Sequence, residues 1–184
     1  MKKILLVLLV LFFFMGNINA QFEMGKHYVG PSLGVGAGGY GLSFGADYEY
    51  GISLKEIGFD EPGALGVGVI LRYYSWSQSF TFLNLTYEWS YTDIIIGAQG
   101  NYHFKLSNEK FDPWVGLILG FDISSASWNG PDNFGGNLDA STGWVFFNAS
   151  IGARYWFSPT IAARIGFGFG NIVSSIIFGV DFKL

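Results

Sequence analysis

Few side chains in this sequence could perform catalysis or hold a metal ion. The chain has no cysteine, and its only histidines are His27 and His103. Serine-type catalysis needs a histidine held between a hydroxyl and a carboxylate. Zinc and copper sites need several nitrogen, sulfur or carboxylate ligands that converge. Because the two histidines lie on separate predicted segments, outside any metal-binding motif, the sequence predicts no catalytic residue, no metal site and no cofactor.

The elements that carry these residues are predicted to be β-strands. The longest uncharged stretch after residue 20 runs from Ile165 to Val180, and its first half, Ile165-Gly-Phe-Gly-Phe-Gly170, alternates strictly. Such a period of two indicates a strand, and glycine at every second position disfavours a helix. The same alternation predicts eight strands, at residues 27–37, 42–52, 64–75, 92–104, 114–123, 144–157, 161–170 and 175–184.

Turn-forming residues separate the predicted strands. Gly38-Gly39-Tyr40-Gly41 and Ser158-Pro159 favour short turns. The two longest connections are residues 76–91 and 124–143, and the second is rich in Ser, Asn, Gly and Asp, which is typical of an exposed loop. The connection at residues 54–63 is longer than a turn at that end should be, and the sequence does not explain it.

Each predicted strand has an apolar face and a face of small or polar residues. In the last strand the apolar face consists of Ile176, Phe178, Val180, Phe182 and Leu184. A water-soluble barrel would carry many charges on its outside, but charged residues make up only 13% of this chain, against about 25% in soluble domains. Small residues suit the interior of an eight-stranded barrel. The sequence therefore predicts an all-β, antiparallel up-and-down barrel of eight strands with its apolar face toward lipid.

The phase of each strand predicts which charged residues enter the barrel. Glu49, Arg154, Arg164 and Asp181 are expected to form a charge-balanced cluster near the end that holds the termini. Toward the other end, Arg72 is expected to align with Asp93 and Asp122 in a second, net acidic layer. Together the two layers would block the lumen.

The N-terminus has the three regions of a secretory signal peptide. Lys2 and Lys3 precede an apolar run from Ile4 to Met15, which is too short to span a membrane as a helix, and small or polar residues lead to Ala20. Cleavage after Ala20 is expected to leave a single domain, residues 21–184. Loss of the two lysines would change the net charge from −4 to −6, so a nucleic-acid partner is not expected.

Three segments carry a resemblance to a known family: Asp112-Pro-Trp-Val-Gly-Leu-Ile-Leu-Gly-Phe-Asp122, Gly152-Ala-Arg-Tyr-Trp-Phe-Ser-Pro159 and Phe178-Gly-Val-Asp-Phe-Lys-Leu184. They resemble the small outer-membrane β-barrels of Gram-negative bacteria typified by OmpX and the membrane domain of OmpA. The resemblance implies an outer-membrane location, contact with membrane lipid and lipopolysaccharide, and a non-enzymatic, monomeric protein. It also implies a C-terminal signal for the barrel assembly machinery at Phe178, Val180, Phe182 and Leu184, although that signal usually ends in phenylalanine.

Three functions follow from this prediction. The first is an envelope or surface-interaction protein whose extracellular loops carry Trp76, Phe80, Phe82, Trp89 and Trp128; these aromatic side chains could bind a partner or enter the lipid headgroup layer. The second is a narrow channel for small solutes, although aqueous pores belong to larger barrels. The third is a barrel enzyme that modifies lipid A, which is disfavoured because both histidines are expected near the periplasmic rim.

Overall fold

The computed structural model describes residues 22–36, 41–59, 63–82, 85–129, 138–170 and 175–184. The predicted signal peptide and most of the turn at residues 38–41 lie outside this part of the chain. Eight antiparallel strands form a closed barrel in sequence order, and β1 pairs with β8 to complete it. The predicted eight-stranded up-and-down barrel is therefore confirmed. The strands are β1 (His27–Gly36), β2 (Leu42–Ser53), β3 (Ala64–Phe82), β4 (Leu85–His103), β5 (Phe111–Asn129), β6 (Leu138–Trp156), β7 (Ile161–Gly170) and β8 (Ser175–Lys183).

The strands differ in length by about a factor of two. β3 to β6 have 19 residues each, whereas the other four have 9 to 12. The prediction of loops at residues 76–91 and 124–143 was therefore wrong for most of their length. The β3–β4 ladder continues from Ser75↔Thr92 to Phe82↔Leu85. The β5–β6 ladder continues from Ser124↔Thr142 to Trp128↔Leu138.

The cause of this error is physical. Residues 75–82 alternate Ser or Thr with Trp, Gln or Phe, and aromatic and β-branched side chains fit a pleated surface well. Their polar content suggested a loop, but a strand with one hydroxyl-bearing face is equally polar. The part of β3 to β6 that extends from the Ser75↔Thr92 and Ser124↔Thr142 pairs to the far ends of the strands is called here the projecting sheet. It comprises residues 75–82, 85–92, 124–129 and 138–143.

The connection between β2 and β3 contains a short 3-10 helix, Leu54–Ile57. Leu54 is buried, and the backbone N–H groups of Gly58 and Phe59 donate to the carbonyl oxygens of Lys55 and Leu54. Gly58 ends the helix at φ 90°, a left-handed conformation that favours glycine. This local structure accounts for the unexpected length of the connection. Among the described residues, no helix is long and apolar enough to cross a membrane.

Phe22, the first described residue, and the C-terminal residues lie at one end of the barrel, called the terminal end; the projecting sheet lies at the opposite end. The C-terminal residues close the barrel against β1, because Phe182 pairs with Val29 and the N–H of Leu184 donates to the carbonyl of His27 at 2.8 Å. Lys183 also forms an ion pair with Glu23 at 2.7 Å. The predicted assembly-signal residues, Phe178, Val180, Phe182 and Leu184, are exposed on the outside of the barrel.

Candidate functional site

Arg154 is at the centre of the charged interior near the terminal end. Its Nη2 lies 2.5 Å from Glu49 Oε2, and its Nε lies 2.5 Å from Asp181 Oδ2. Its Nη1 is 3.5 Å from Asp112 Oδ2. The side chains of Arg154 and of these three acids are almost completely buried. Arg154 therefore joins β6 to β2, β5 and β8 across the lumen.

His103 connects two of the same carboxylates. Its Nε2 lies 2.9 Å from Glu49 Oε1, and its Nδ1 lies 2.8 Å from Asp112 Oδ1. Asn101 donates a further hydrogen bond to Glu49. The imidazole is buried and stacks on Phe22 with 3.7 Å between ring centroids. These contacts fix His103 within the packed interior.

Arg72 and Arg164 meet at Asp47. Arg72 Nη2 and Arg164 Nη2 each lie 2.5 Å from one oxygen of this carboxylate. Arg164 also approaches Asp181 at 3.5 Å, which links this group to Arg154. The register of β6 and β7 places Arg154 opposite Arg164, and the acids on β2 and β8 separate the two positive charges.

The predicted alignment of Arg72 with Asp93 and Asp122 was wrong. Asp93 lies opposite Tyr74, two residues farther from the terminal end than Arg72, whereas Asp47 lies opposite Ile70, two residues nearer to it. Arg72 extends toward Asp47, and its guanidinium also donates to the backbone carbonyl oxygens of Ala46 and Leu71. A long side chain reaches past its own row, so register alone does not determine its partner.

The charge network consists of Asp47, Glu49, Arg72, His103, Asp112, Arg154, Arg164 and Asp181. The sequence prediction missed Asp47, His103 and Asp112 as members. A signal for Asp47 was present, since it shares the inward phase of Glu49 on the same strand. Three arginines face four carboxylates in the network, and a protonated His103 would make the positive and negative charges equal.

Glycines make room for the network. A Cβ atom at Gly66 would collide with the Glu49 carboxylate, and one at Gly179 would lie 2.7 Å from the Arg164 guanidinium. These small residues are therefore needed where the large charged groups cross a narrow lumen.

Packed layers lie on both sides of the charge network. The rings of Phe22, Tyr28 and Trp114 lie 5.3 to 5.5 Å from the Arg154 guanidinium, which suits cation–π attraction. Phe22 and Tyr28 pack on the side of the terminal end. Toward the other end lies an apolar stopper made of Ile70, Tyr74, Ile95 and Phe146, with Trp76 and Ile118 packed against it. A cavity of about 70 Å³ remains between the network and the stopper. The described side chains therefore obstruct the lumen at two levels.

Asp93 and Asp122 lie at the edge of the stopper that faces the projecting sheet. This acid pair is buried, and Asp93 lies opposite Ser124 while Asp122 lies opposite Ile95. Ser124 lies next to both acids, because it is opposite Asp93 in the β4–β5 ladder and two residues beyond Asp122 on β5. Within the described part of the chain, neither acid forms an ion pair, and Asp122 Oδ1 has no hydrogen-bond partner.

Aromatic rings line the inner face of the projecting sheet. Trp76 stacks on Tyr91 with 5.1 Å between centroids, and Trp89 lies 4.9 Å from Trp128. Their strands continue in unbroken register from the barrel, so these rings are on the side of the sheet that faces the barrel axis. The expectation that Trp76, Phe80, Trp89 and Trp128 occupy loops was therefore wrong, and the side chain of Phe82 lies outside the described part.

The outer face of the projecting sheet carries hydroxyl groups instead. It includes Ser77, Ser79 and Thr81 on β3, Ser90 and Thr92 on β4, Ser125 and Ser127 on β5, and Asp139 and Ser141 on β6. Below this level the outer face is apolar, ending with Tyr73, Ile94, Ile123 and Val145. The change between residues 123 and 125 of β5 marks the border of the lipid-facing band.

Comparison with known proteins identifies the fold. No family model and no curated protein matches the sequence. A designed transmembrane β-barrel matches with a TM-score of 0.50 and 18% identity over 89% of this chain and 99% of that chain. Ail, the attachment invasion locus protein of Yersinia pestis, matches with a TM-score of 0.50 and 13% identity over 88% and 100%. Neisserial surface protein A matches with a TM-score of 0.51 and 16% identity over 86% and 96%.

The matches cover nearly the whole of each solved structure, so their likeness concerns the entire barrel. The chain therefore has the fold of the small eight-stranded transmembrane β-barrels of the outer membrane.

Proposed function

We propose that this protein is a non-enzymatic outer-membrane barrel that presents the projecting sheet outside the cell as an interaction surface. The proposal rests on one observation, which is that the side chains on the outer face of β3 to β6 change from apolar to hydroxyl-bearing along the strands. Within the barrel the outer face is apolar, whereas above the border the outer face bears hydroxyl groups and the inner face bears aromatic rings. Hydroxyl groups suit contact with water, so this sheet extends beyond the lipid.

The dimensions of the projecting sheet suit this role. Residues 75–82 of β3 extend for roughly 26 Å along the strand at about 3.3 Å per residue. With a tilt of about 45°, the sheet would project by roughly 19 Å. Aromatic side chains are enriched at protein interaction surfaces because they offer a large contact area. Trp89 and Phe80 remain substantially exposed there.

Two packed layers favour an interaction role over a channel. The charge network crosses the lumen from β6 to β2, and the apolar stopper joins β3, β4 and β6. Solutes would have to separate ion pairs that lie in a low-dielectric interior, and breaking such pairs is costly. Planar-bilayer recording with the purified mature chain is expected to show no steady conductance.

The surroundings of the histidines favour a structural role over catalysis. His103 is buried against Glu49, Asp112 and Phe22. His27 lies at the terminal end and its Nδ1 is 2.8 Å from the Tyr48 hydroxyl. Both are at the opposite end of the barrel from the projecting sheet, so neither could act on a substrate bound there.

Single cysteines test the proposed orientation, because the natural chain has none. Ser127→Cys, on the outer face of the projecting sheet, should react on intact cells with a maleimide that does not cross membranes. Lys110→Cys, in the turn before β5, should react only after the outer membrane is permeabilised. Labelling of Lys110→Cys but not of Ser127→Cys on intact cells would overturn the proposal.

A further inference from the structure

Among the described side chains, none forms an ion pair with the acid pair, Asp93 and Asp122. Asp93 and Asp122 are only 4% and 2% exposed, and burial of a carboxylate is costly unless a positive group or hydrogen bonds compensate it. The polar side chain beside the two acids is that of Ser124, which lies opposite Asp93, and Asp122 Oδ1 lacks a hydrogen-bond partner. The charge network shows that this chain supplies arginines to its other buried acids, so the acid pair differs in kind.

Aromatic rings lie next to the acid pair on the same face. Trp144 is opposite Asp122 in the β5–β6 ladder, and its side chain is 61% exposed. Tyr91 lies two residues above Asp93 on β4 and stacks on Trp76. Trp89 and Trp128 follow in the next row. A ligand that enters from the end of the barrel that carries the projecting sheet would meet these ring faces before it reached the carboxylates.

The sequence around this surface contains no positive charge. Neither residues 73–104 nor residues 111–153 include a lysine or an arginine, although they include Glu88, Asp93, Asp122, Asp132 and Asp139. The acidic side chains of the projecting sheet therefore create a negative field that attracts cations and repels anions.

We propose that the inner face of the projecting sheet binds a small organic cation, such as a quaternary ammonium compound. The positive nitrogen lies at the acid pair, and its alkyl groups contact the faces of Trp144, Tyr91 and Trp76. This proposal deepens the proposed function and rests on it, because the site opens on the side assigned to the cell exterior.

Two other ligand classes fit the same surface less well. A divalent metal ion prefers six or more oxygen ligands, and the described residues include no group of three histidine, cysteine or acidic side chains that could hold one. A neutral sugar could stack on the aromatic rings, but it would leave the buried carboxylates uncompensated. Cation–π attraction together with a carboxylate suits an organic cation.

The test is calorimetric titration of the mature chain in lipid nanodiscs with choline. Its neutral isostere, 3,3-dimethylbutan-1-ol, has the same shape without the charge. Choline should bind at least about tenfold more tightly than the isostere, since cation–π and ionic attraction act only on the charged form. Equal binding of both compounds, or binding of neither, would overturn the proposal.

Substitutions locate the site. Asp122→Asn should weaken choline binding by about tenfold or more, because it removes a charge at the floor of the site. Asp139→Asn removes the same charge from the outer face of the sheet and should change binding by less than about twofold. Asp93→Asn provides a second test of the acid pair, and heat-modifiable migration on gels shows that each variant is folded. Equal effects of Asp122→Asn and Asp139→Asn would contradict the site.

Two further titrants and the cysteine variant separate the remaining outcomes. Stronger binding of calcium or of cellotriose than of choline would replace the organic cation with a metal or a sugar. If Ser127→Cys reacts on intact cells but choline does not bind, the ligand assignment fails while the proposed function stands. If Ser127→Cys does not react, the proposed function itself fails.

Discussion

The two halves of the long strands β3 to β6 carry different side chains on their outer faces. Within the barrel, the charge network and the apolar stopper fill the lumen and apolar side chains face outward; in the projecting sheet, aromatic rings face inward and hydroxyl groups face outward. The period of two is the same in both halves, but in the proposed orientation the surrounding solvent changes from lipid to water. In that orientation, the solvent rather than strand geometry determines which outer face is apolar.

The two groups of buried acids also differ in the partners of their carboxylates. In the charge network every carboxylate contacts an arginine, whereas Asp93 and Asp122 have Ser124 as a shared polar neighbour. The proposals above therefore give the network a stabilising role and the acid pair a ligand-binding role. Substitutions that test this difference should produce effects of different size and sign.

The largest effect is expected for Arg154→Ala. This substitution leaves Glu49 and Asp181 without their 2.5 Å partner, and breaking a buried ion pair typically costs about 3 to 5 kcal/mol. The free energy of unfolding, measured by urea titration in lipid vesicles, should fall by that amount. The double variant Arg154→Ala, Glu49→Ala should recover part of the loss, and small, additive effects would show that the network does not stabilise the barrel.

A smaller effect is expected for Gly66→Ala on β3. The added methyl group would collide with the Glu49 carboxylate, and overpacking of this kind costs about 1 to 3 kcal/mol. Gly100→Ala on the neighbouring strand is the matched control, because a Cβ atom there meets nothing within 4 Å. The same urea titration should separate the two variants, and equal stabilities would mean that Glu49 does not occupy the space beside Gly66.

The fold could be predicted from the sequence because the alternation of apolar and polar residues is visible within each strand by itself. Each strand shows its own inward phase, so Glu49, Arg154, Arg164 and Asp181 could be assigned to the interior without knowledge of the neighbours. The closure of the barrel followed from the requirement that backbone groups in lipid be paired.

Partners across the lumen could not be predicted in the same way. Arg72 pairs with Asp47 because its side chain extends toward the terminal end. On its other side, toward the projecting sheet, the packed side chains of Tyr74 and Ile95 occupy the lumen. The projecting sheet was missed because polar composition, which usually indicates a loop in a barrel, here belongs to one face of a strand. The aromatic residues between the hydroxyl groups were the available signal.

Single carboxylate-to-amide changes are expected to have effects that differ in sign between the two groups of acids. Asp181→Asn should lower the free energy of unfolding by about 1.5 to 3 kcal/mol, because it removes a charged hydrogen bond to Arg154. Asp122→Asn should leave stability unchanged or raise it, since Asp93 is a like charge nearby. A comparable loss of stability in both variants would remove the distinction between network and acid pair.

A series of cysteine variants on the outer face of β5 locates the point at which that face changes from apolar to hydroxyl-bearing. Leu119→Cys, Phe121→Cys, Ile123→Cys, Ser125→Cys and Ser127→Cys would each be placed in lipid nanodiscs and treated with a charged, water-soluble maleimide. The structure predicts slow labelling through residue 123, where the side chains are apolar and lipid-facing, and fast labelling from residue 125 onward. Equal labelling rates along the series, or protection that continues through residue 127, would show that the projecting sheet does not leave the membrane.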